Sequence, residues 1–317
     1  MDKPVYNQGL NWQDQPERGG FWGLQAMAFC LRWFGPRVCL FACLPAVGFF
    51  YLSDPVKRQA LQEFLAQRNQ HYPQAPSPAG SAFWNYVSFA QAVIDRAYFW
   101  VKGSTCGYRF EWDGKELLEE RLASGQGAFL VSGHMGNVEL LRAAGHDLDL
   151  EVSVLMYLKH AQNYNRMLKA LNPAALAKVI ALDEIDPSLI NELQAKLAQG
   201  ELIGLLGDRL TPGAKERGLR QPFLGREAAF PLGPFLLPLL LQVPLYSIFV
   251  ACLSPKRYKV MVRRIYNGEP VARSGRNNAL QDLCSSFVAH QEDVCLNWPH
   301  QWYNFYPFWQ EQLHENT

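Results

Sequence analysis

Six short apolar runs, at 128–131, 152–157, 178–181, 202–206, 245–250 and 258–265, punctuate this chain. Helical patterns fall between them, notably at 161–171 and 188–199. Runs this short and this continuously apolar read as strands buried on both faces. Strands that alternate with helices pair in parallel, because each helix carries the chain back across the sheet. The expected fold class is therefore α/β, with a mainly parallel, twisted sheet flanked by helices. Its chemistry should lie at the C-terminal ends of the strands. With 317 residues, 49% of them apolar, the chain can bury a full core.

Helical periodicity also runs through 55–69, where Val56, Leu61, Phe64 and Leu65 share a face, and through 83–100 and 116–122. The Pro- and Ala-rich stretch 71–81 reads as a linker. The pattern divides the chain into an N-terminal segment, 1–70, and an α/β domain, 71–317. The apolar run 231–244, with Pro234 and Pro238, reads either as a groove for a hydrocarbon tail or as a core helix started by proline.

The segment with the most chemistry follows the first of the strands. Ala128 to Val131 is apolar, Ser132 and Gly133 turn the chain, and Asn137 can begin a helix that carries Leu140 and Leu141 inward. His134 and Glu139 lie five positions apart across this junction. On one helix they would point about 140° apart, so they meet only if His134 precedes the helix and Glu139 lies in its first turn. A neutral imidazole held by a carboxylate can take a proton from a hydroxyl and stabilise the imidazolium that forms. The bland alternative is a hydrogen-bonded histidine at the mouth of a sheet, with Glu139 favouring a helix N-terminus. A nucleophilic serine is not expected: the chain lacks G-x-S-x-G, and Ser132 sits in Val-Ser-Gly-His rather than at a nucleophile elbow.

A net charge of +1 gives no global signal for nucleic acid. Basic residues do cluster locally. Arg209, Lys215, Arg217, Arg220 and Arg226 form one group; Lys256, Arg257, Lys259, Arg263 and Arg264 form another. Either can meet an acidic partner, and the second reads more simply as charge protecting an edge strand. Seven cysteines lack paired metal-ligand spacing and read as reduced, mostly buried thiols. His146 supplies no convincing third ligand beside His134 and Glu139, so no metal or other cofactor is expected.

The N-terminal region differs in composition. The arm 21–31 is apolar apart from Gln25, Arg32 and Arg37 bracket Trp33 to Pro36, and 38–52 is uncharged and apolar but interrupted by Pro45. A bilayer core needs roughly 20 apolar residues, and each arm alone is shorter. With Trp22, Trp33, Phe34 and Tyr51 near their ends, the arms read as helices lying in or dipping into a membrane interface, or as a buried helical hairpin. The mixed charges at Asp14, Glu17 and Arg18 argue against a signal peptide. The aromatic C-terminal segment, Trp298 to Trp309, is expected to pack partly in the core and partly against lipid.

Four segments in order carry a family resemblance: Ser132-Gly-His-Met-Gly-Asn-Val-Glu139; Gly204-Leu-Leu-Gly-Asp-Arg209; Pro222-Phe-Leu-Gly-Arg226 leading into Phe230-Pro-Leu-Gly-Pro234; and Trp298-Pro-His-Gln-Trp-Tyr-Asn-Phe305. With its H-x4-D/E motif, the chain resembles the bacterial lipid A biosynthesis acyltransferases, within the lysophospholipid and glycerol-phosphate acyltransferase group. The resemblance implies a glycerol-3-phosphate-acyltransferase-like fold at the cytoplasmic face of a bacterial inner membrane. It implies transfer of a fatty acyl chain from an acyl carrier protein or coenzyme A thioester to a hydroxyl of a membrane lipid or glycolipid, with no cofactor. His134 would be the general base and Glu139 its partner. Asn137, Asp208, Arg209 and Arg226 would lie on the substrate side. A guanidinium at Arg209 could bind a phosphate or help fix the active-site loop; it could equally be a structural ion-pair partner of Asp208 or Glu139. Around 157–166 the sequence departs from the family pattern, with Lys159, His160 and Asn163 in place of an early Arg and an Asn-Pro pair, which leaves the acceptor lipid open. A noncatalytic lipid-binding or scaffold protein on the same fold is the alternative.

Overall fold

The computed structural model describes residues 21–76, 78, 80–103, 107–141, 150–156, 179–182, 186–210 and 218–309, with backbone alone for 21–28. Its centre is a seven-stranded sheet built from β1 (Arg109–Asp113), β2 (Ala128–Ser132), β3 (Val152–Met156), β4 (Val179–Ala181), β5 (Leu202–Leu206), β8 (Leu245–Ser254) and β9 (Arg257–Tyr266). The strand order is β1-β9-β8-β2-β5-β3-β4. Every neighbouring pair is parallel except β8 and β9, which form an antiparallel hairpin. The expected α/β sheet is thus present, and all six anticipated strands belong to it. The short strands β6 (Leu219–Phe223) and β7 (Arg226–Phe230) form a separate antiparallel hairpin.

Helices α1 (Phe21–Ser53), α2 (Pro55–His71), α3 (Phe83–Lys102), α4 (Lys115–Ala123), α5 (Pro187–Ala198), α6 (Gly233–Leu241) and α7 (Arg276–Asn297) surround the sheet. Local chemistry explains their starts. Asp54 and Asp186 each cap a helix whose first residue is proline: their carboxylates accept from the N–H groups of Lys57 (3.1 Å) and Leu189 (2.8 Å). Along α5, Leu189, Leu193 and Leu197 recur every fourth position and are buried. The anticipated helix at 161–171, the stretch 157–166 and His146 lie outside the described residues.

β2 is buried on both faces, and its side chains alternate between two cores. Phe129 and Val131 face the larger one, with α2, α5, α6, α7 and the C-terminal aromatics; Ala128 and Leu130 face the other, with Leu118 of α4 and Tyr258 of β9. Within the run 231–244, Gly233–Leu241 forms α6, whose Phe235, Leu237 and Leu239 are buried in the larger core.

The structure bears on three further expectations. Lys256 to Arg264 does not guard an edge: β9 is covered by β1, and Arg257, Lys259 and Arg263 are neutralised by Glu111, Asp113 and Asp293. Most of the C-terminal aromatics are core residues, with Trp302, Phe308 and Trp309 almost wholly buried and Trp302 stacked on Phe64 at 4.1 Å between ring centroids, while Trp298 and Phe305 are half-buried. The two N-terminal arms are joined. α1 consists of two helices that meet at a sharp kink at Gly35 (φ 77°, ψ 176°), a non-helical glycine followed by Pro36. By length and composition alone, Phe29–Ser53 is long and apolar enough to cross a membrane, although it includes the kink at Gly35. One side of α1 packs on α3. Phe29, Trp33, Phe34, Phe41, Phe49 and Leu52 of α1 are exposed, as are Trp84 and Phe89 of α3.

Candidate active site

The register of two parallel strands creates the site. Ser132 at the end of β2 lies opposite Leu206 at the end of β5. His134 and Asp208 each come two residues later, so both emerge at the same C-terminal edge of the sheet. The N–H of Gly207 donates to the carbonyl of Ser132 (2.7 Å) and extends the pairing past the strand ends. A Cβ at Gly133 would sit 3.1 Å from both an Asp208 carboxylate oxygen and Gln291 Oε1, close enough that a neighbour would have to give way by a few tenths of an ångström.

Asp208 then grips His134 twice. Its Oδ2 accepts the backbone N–H of His134 (2.7 Å), and its Oδ1 lies 2.7 Å from Nδ1 of the imidazole. Asp208 is completely buried, whereas the His134 side chain is 27% exposed. Among the described residues, no group hydrogen-bonds the other ring nitrogen, Nε2.

Charges set the protonation states. Burial raises the Asp208 pKa, but His134, the Arg209 guanidinium and the donated His134 N–H together outweigh it and hold the carboxyl below its usual range. His134 is also held below the ordinary 6.5, first by burial and then by Arg209, against the opposing pull of Asp208. The pair is therefore an ionised carboxylate beside a neutral imidazole at neutral pH. Nδ1 donates to Asp208 and Nε2 keeps its lone pair. This is the arrangement of a general base.

The loop carrying His134 is clamped on both sides. Met135 bridges to Trp302 and Gly136 to Val250. Gly136 donates to the Gln301 carbonyl (2.8 Å), Asn137 to the Val250 carbonyl (2.8 Å), and Tyr303 donates its N–H to the His134 carbonyl (2.8 Å). Gly136 has φ +62°, and a Cβ there would fall 2.0 Å from the Val250 carbonyl oxygen. Behind Asp208, Asn304 donates from Nδ2 to Oδ2 (3.2 Å), and Arg209 donates from Nε to Asn304 Oδ1 (2.7 Å) and from Nη2 to the Tyr303 carbonyl (2.9 Å). The Arg209 guanidinium also lies 5.7 Å from the centre of the Tyr306 ring.

A family model for the bacterial lipid A biosynthesis acyltransferases matches residues 77–309, more than half of the chain. The chain belongs to that family. No curated protein sequence matches it significantly.

In this acyltransferase-family chain, the residues singled out from sequence fall into two groups. His134, Asp208 and Arg209 come together. The Nδ1 acceptor is Asp208, a residue expected to touch substrate; its burial and occupied oxygens place it behind the histidine instead. Glu139, the carboxylate expected on Nδ1, lies in the single 3-10 turn Val138–Leu140 that Asn137 precedes. Asn137 is buried and ties that turn to α3, donating from Nδ2 to the Ala92 carbonyl (2.9 Å). Arg226 belongs to a different contact: it pairs with Glu63 of α2 at 2.6 Å and lies 4.9 Å from the centre of the Trp309 ring, fastening the β6–β7 hairpin. Arg209 turns toward the C-terminal segment, donating to Asn304 and to the Tyr303 carbonyl. Asn304 itself was visible only as part of the Trp298 to Phe305 motif. Its role needed the knowledge that this segment passes beside β2.

Proposed function

We propose that this acyltransferase moves a fatty acyl chain from a thioester, carried by an acyl carrier protein or coenzyme A, to a hydroxyl of a membrane lipid. The observation that carries the reading is the His134–Asp208 pair, with Nδ1 committed to the carboxylate and the His134 side chain 27% exposed. Nε2 takes the proton of the acceptor hydroxyl as its oxygen attacks the thioester carbonyl carbon. The tetrahedral intermediate collapses with cleavage of the C–S bond, and the imidazolium returns the proton to the departing thiolate. Asp208 keeps Nδ1 protonated and stabilises the imidazolium, as the carboxylate of a hydrolase triad does. Glu139, in the 3-10 turn that follows, is assigned to this site on its H-x4-E spacing from His134 alone. The transfer is direct and passes through no acyl-enzyme.

The exposed aromatic faces of α1 and α3 support work at a membrane surface, and family membership favours the cytoplasmic face of the inner membrane. The test is acyl transfer from radiolabelled acyl carrier protein and from acyl-coenzyme A into bacterial lipid extract, with the product identified by mass. A labelled ester lipid made by the wild type and not by His134→Ala supports the proposal and names donor and acceptor. Lipid binding without turnover by either protein would favour a scaffold.

A further inference from the structure

We propose that Asn304, outside the H-x4-E segment and 96 positions from Asp208 in sequence, is a positioning residue of the general base, fixing the carboxylate that fixes His134. The inference rests on the His134–Asp208 reading above and deepens it. Asp208 Oδ2 receives two donors, the His134 N–H at 2.7 Å and Asn304 Nδ2 at 3.2 Å, while Oδ1 faces the imidazole alone. Two donors on one oxygen pin the carboxylate plane and leave the other oxygen directed at Nδ1. Asn304 is itself fully buried and cannot rotate freely, because its Oδ1 accepts from Arg209 Nε at 2.7 Å. That contact also decides which amide atom is which: a guanidinium only donates, so it must face the oxygen, and the NH2 must face the carboxylate.

The chain Arg209–Asn304–Asp208–His134 has an electrostatic consequence as well. A direct Arg209–Asp208 ion pair would draw off the carboxylate's charge and leave less to stabilise an imidazolium. Asn304 stands between them, so Asp208 receives a neutral donor in place of a guanidinium hydrogen bond. The charged or titratable groups felt by the pair are Arg209 beyond β5 and the Cys295 thiol of α7. Neither of them occupies the position of Asn304.

Asn304→Ala removes both bonds. Asn304→Asp keeps an oxygen for Arg209 but replaces the donor to Asp208 with a carboxylate oxygen. The readout is the His134 imidazole, followed by nitrogen NMR of 15N-histidine-labelled full-length protein in detergent micelles and assigned by its absence from His134→Ala. The expected result is a single neutral tautomer protonated on Nδ1 in the wild type. The His134 pKa should rise by roughly half a unit to one unit in Asn304→Ala and by more in Asn304→Asp, where negative charge is added. Thermal midpoints measured alongside identify which variants remain folded. An unchanged pKa and tautomer in a folded variant would overturn the proposal, as would failure of both variants to fold, which would assign Asn304 to the fold. Because the readout needs no turnover, it stands or falls separately from acyl transfer. If the wild-type protein shows no acyl transfer but the His134 shift is seen, the positioning role survives and the acyl-transfer reading does not.

Discussion

At the scale of single residues, the account turns on which group holds Nδ1 of His134. Asp208→Asn should invert the imidazole tautomer, because the amide can donate to Nδ1, and should lower the transfer rate by about 10³–10⁴-fold if the loss resembles that of a triad aspartate. Glu139→Gln should leave the tautomer as it is, so nitrogen NMR separates the two carboxylates even where both variants lose activity. The pH dependence follows from the depressed His134 pKa: kcat/KM should reach its plateau with the acid limb below pH 6.5, not centred on it. A second buried histidine affects stability instead. His290 of α7, hydrogen-bonded to Ser247 Oγ at 2.9 Å, is pushed down to about 3 by burial and by Arg263, which outweighs Asp113. Its native pKa lies below its unfolded one, so its contribution is complete above pH 6.5 and is lost as pH falls toward 3, at about 1.4 kcal/mol per pH unit. Denaturant unfolding of His290→Gln should show a shallower fall in stability across that window than the wild type.

At the scale of elements, legibility depended on how much each segment carries its own signal. β2, β5 and β8 are continuous apolar runs because they are buried in the middle of the sheet, and they could be read directly. β1 could not: its five residues alternate between exposed and half-buried, and they become a strand by pairing with β9 at the edge. The β6–β7 hairpin was hidden by Pro222 and by its polar outer face, although the two-residue turn at Leu224 and Gly225, both at positive φ, marks it in the structure. Helix α7 was missed because His290, Gln291 and two cysteines share its inner face with Leu280, Leu283, Phe287 and Val294, diluting the apolar period. The exposed face of α1 gives a prediction of its own. Phe41 and Leu52 are 77% and 72% exposed, and Trp33 is 70% exposed. Replacing Trp33, Phe41 and Phe49 together by serine should move the protein from the vesicle pellet to the supernatant in co-sedimentation, with the thermal midpoint little changed.

At the scale of the whole molecule, the candidate site is assembled from distant parts of the chain: His134 follows β2, Asp208 follows β5, and the C-terminal segment clamps both. Sequence patterns reveal the strands but not their order, so neither the β2–β5 adjacency that pairs His134 with Asp208 nor the passage of Trp302 to Asn304 beside them was visible beforehand. The clamp also couples fold and site. Trp302 stacks on Phe64 in the larger core and bridges Met135, next to the base. Trp302→Ala should therefore cost about 3–5 kcal/mol of stability and reduce turnover below what the folded fraction explains. The most direct test of the central claim is the rate of acyl transfer from a thioester to membrane lipid by wild type, His134→Ala and Asp208→Asn, each verified as folded. The account predicts transfer by the wild type, near-complete loss in His134→Ala and a large loss in Asp208→Asn. Undiminished transfer by His134→Ala, or an acyl group trapped on a serine or cysteine, would contradict it.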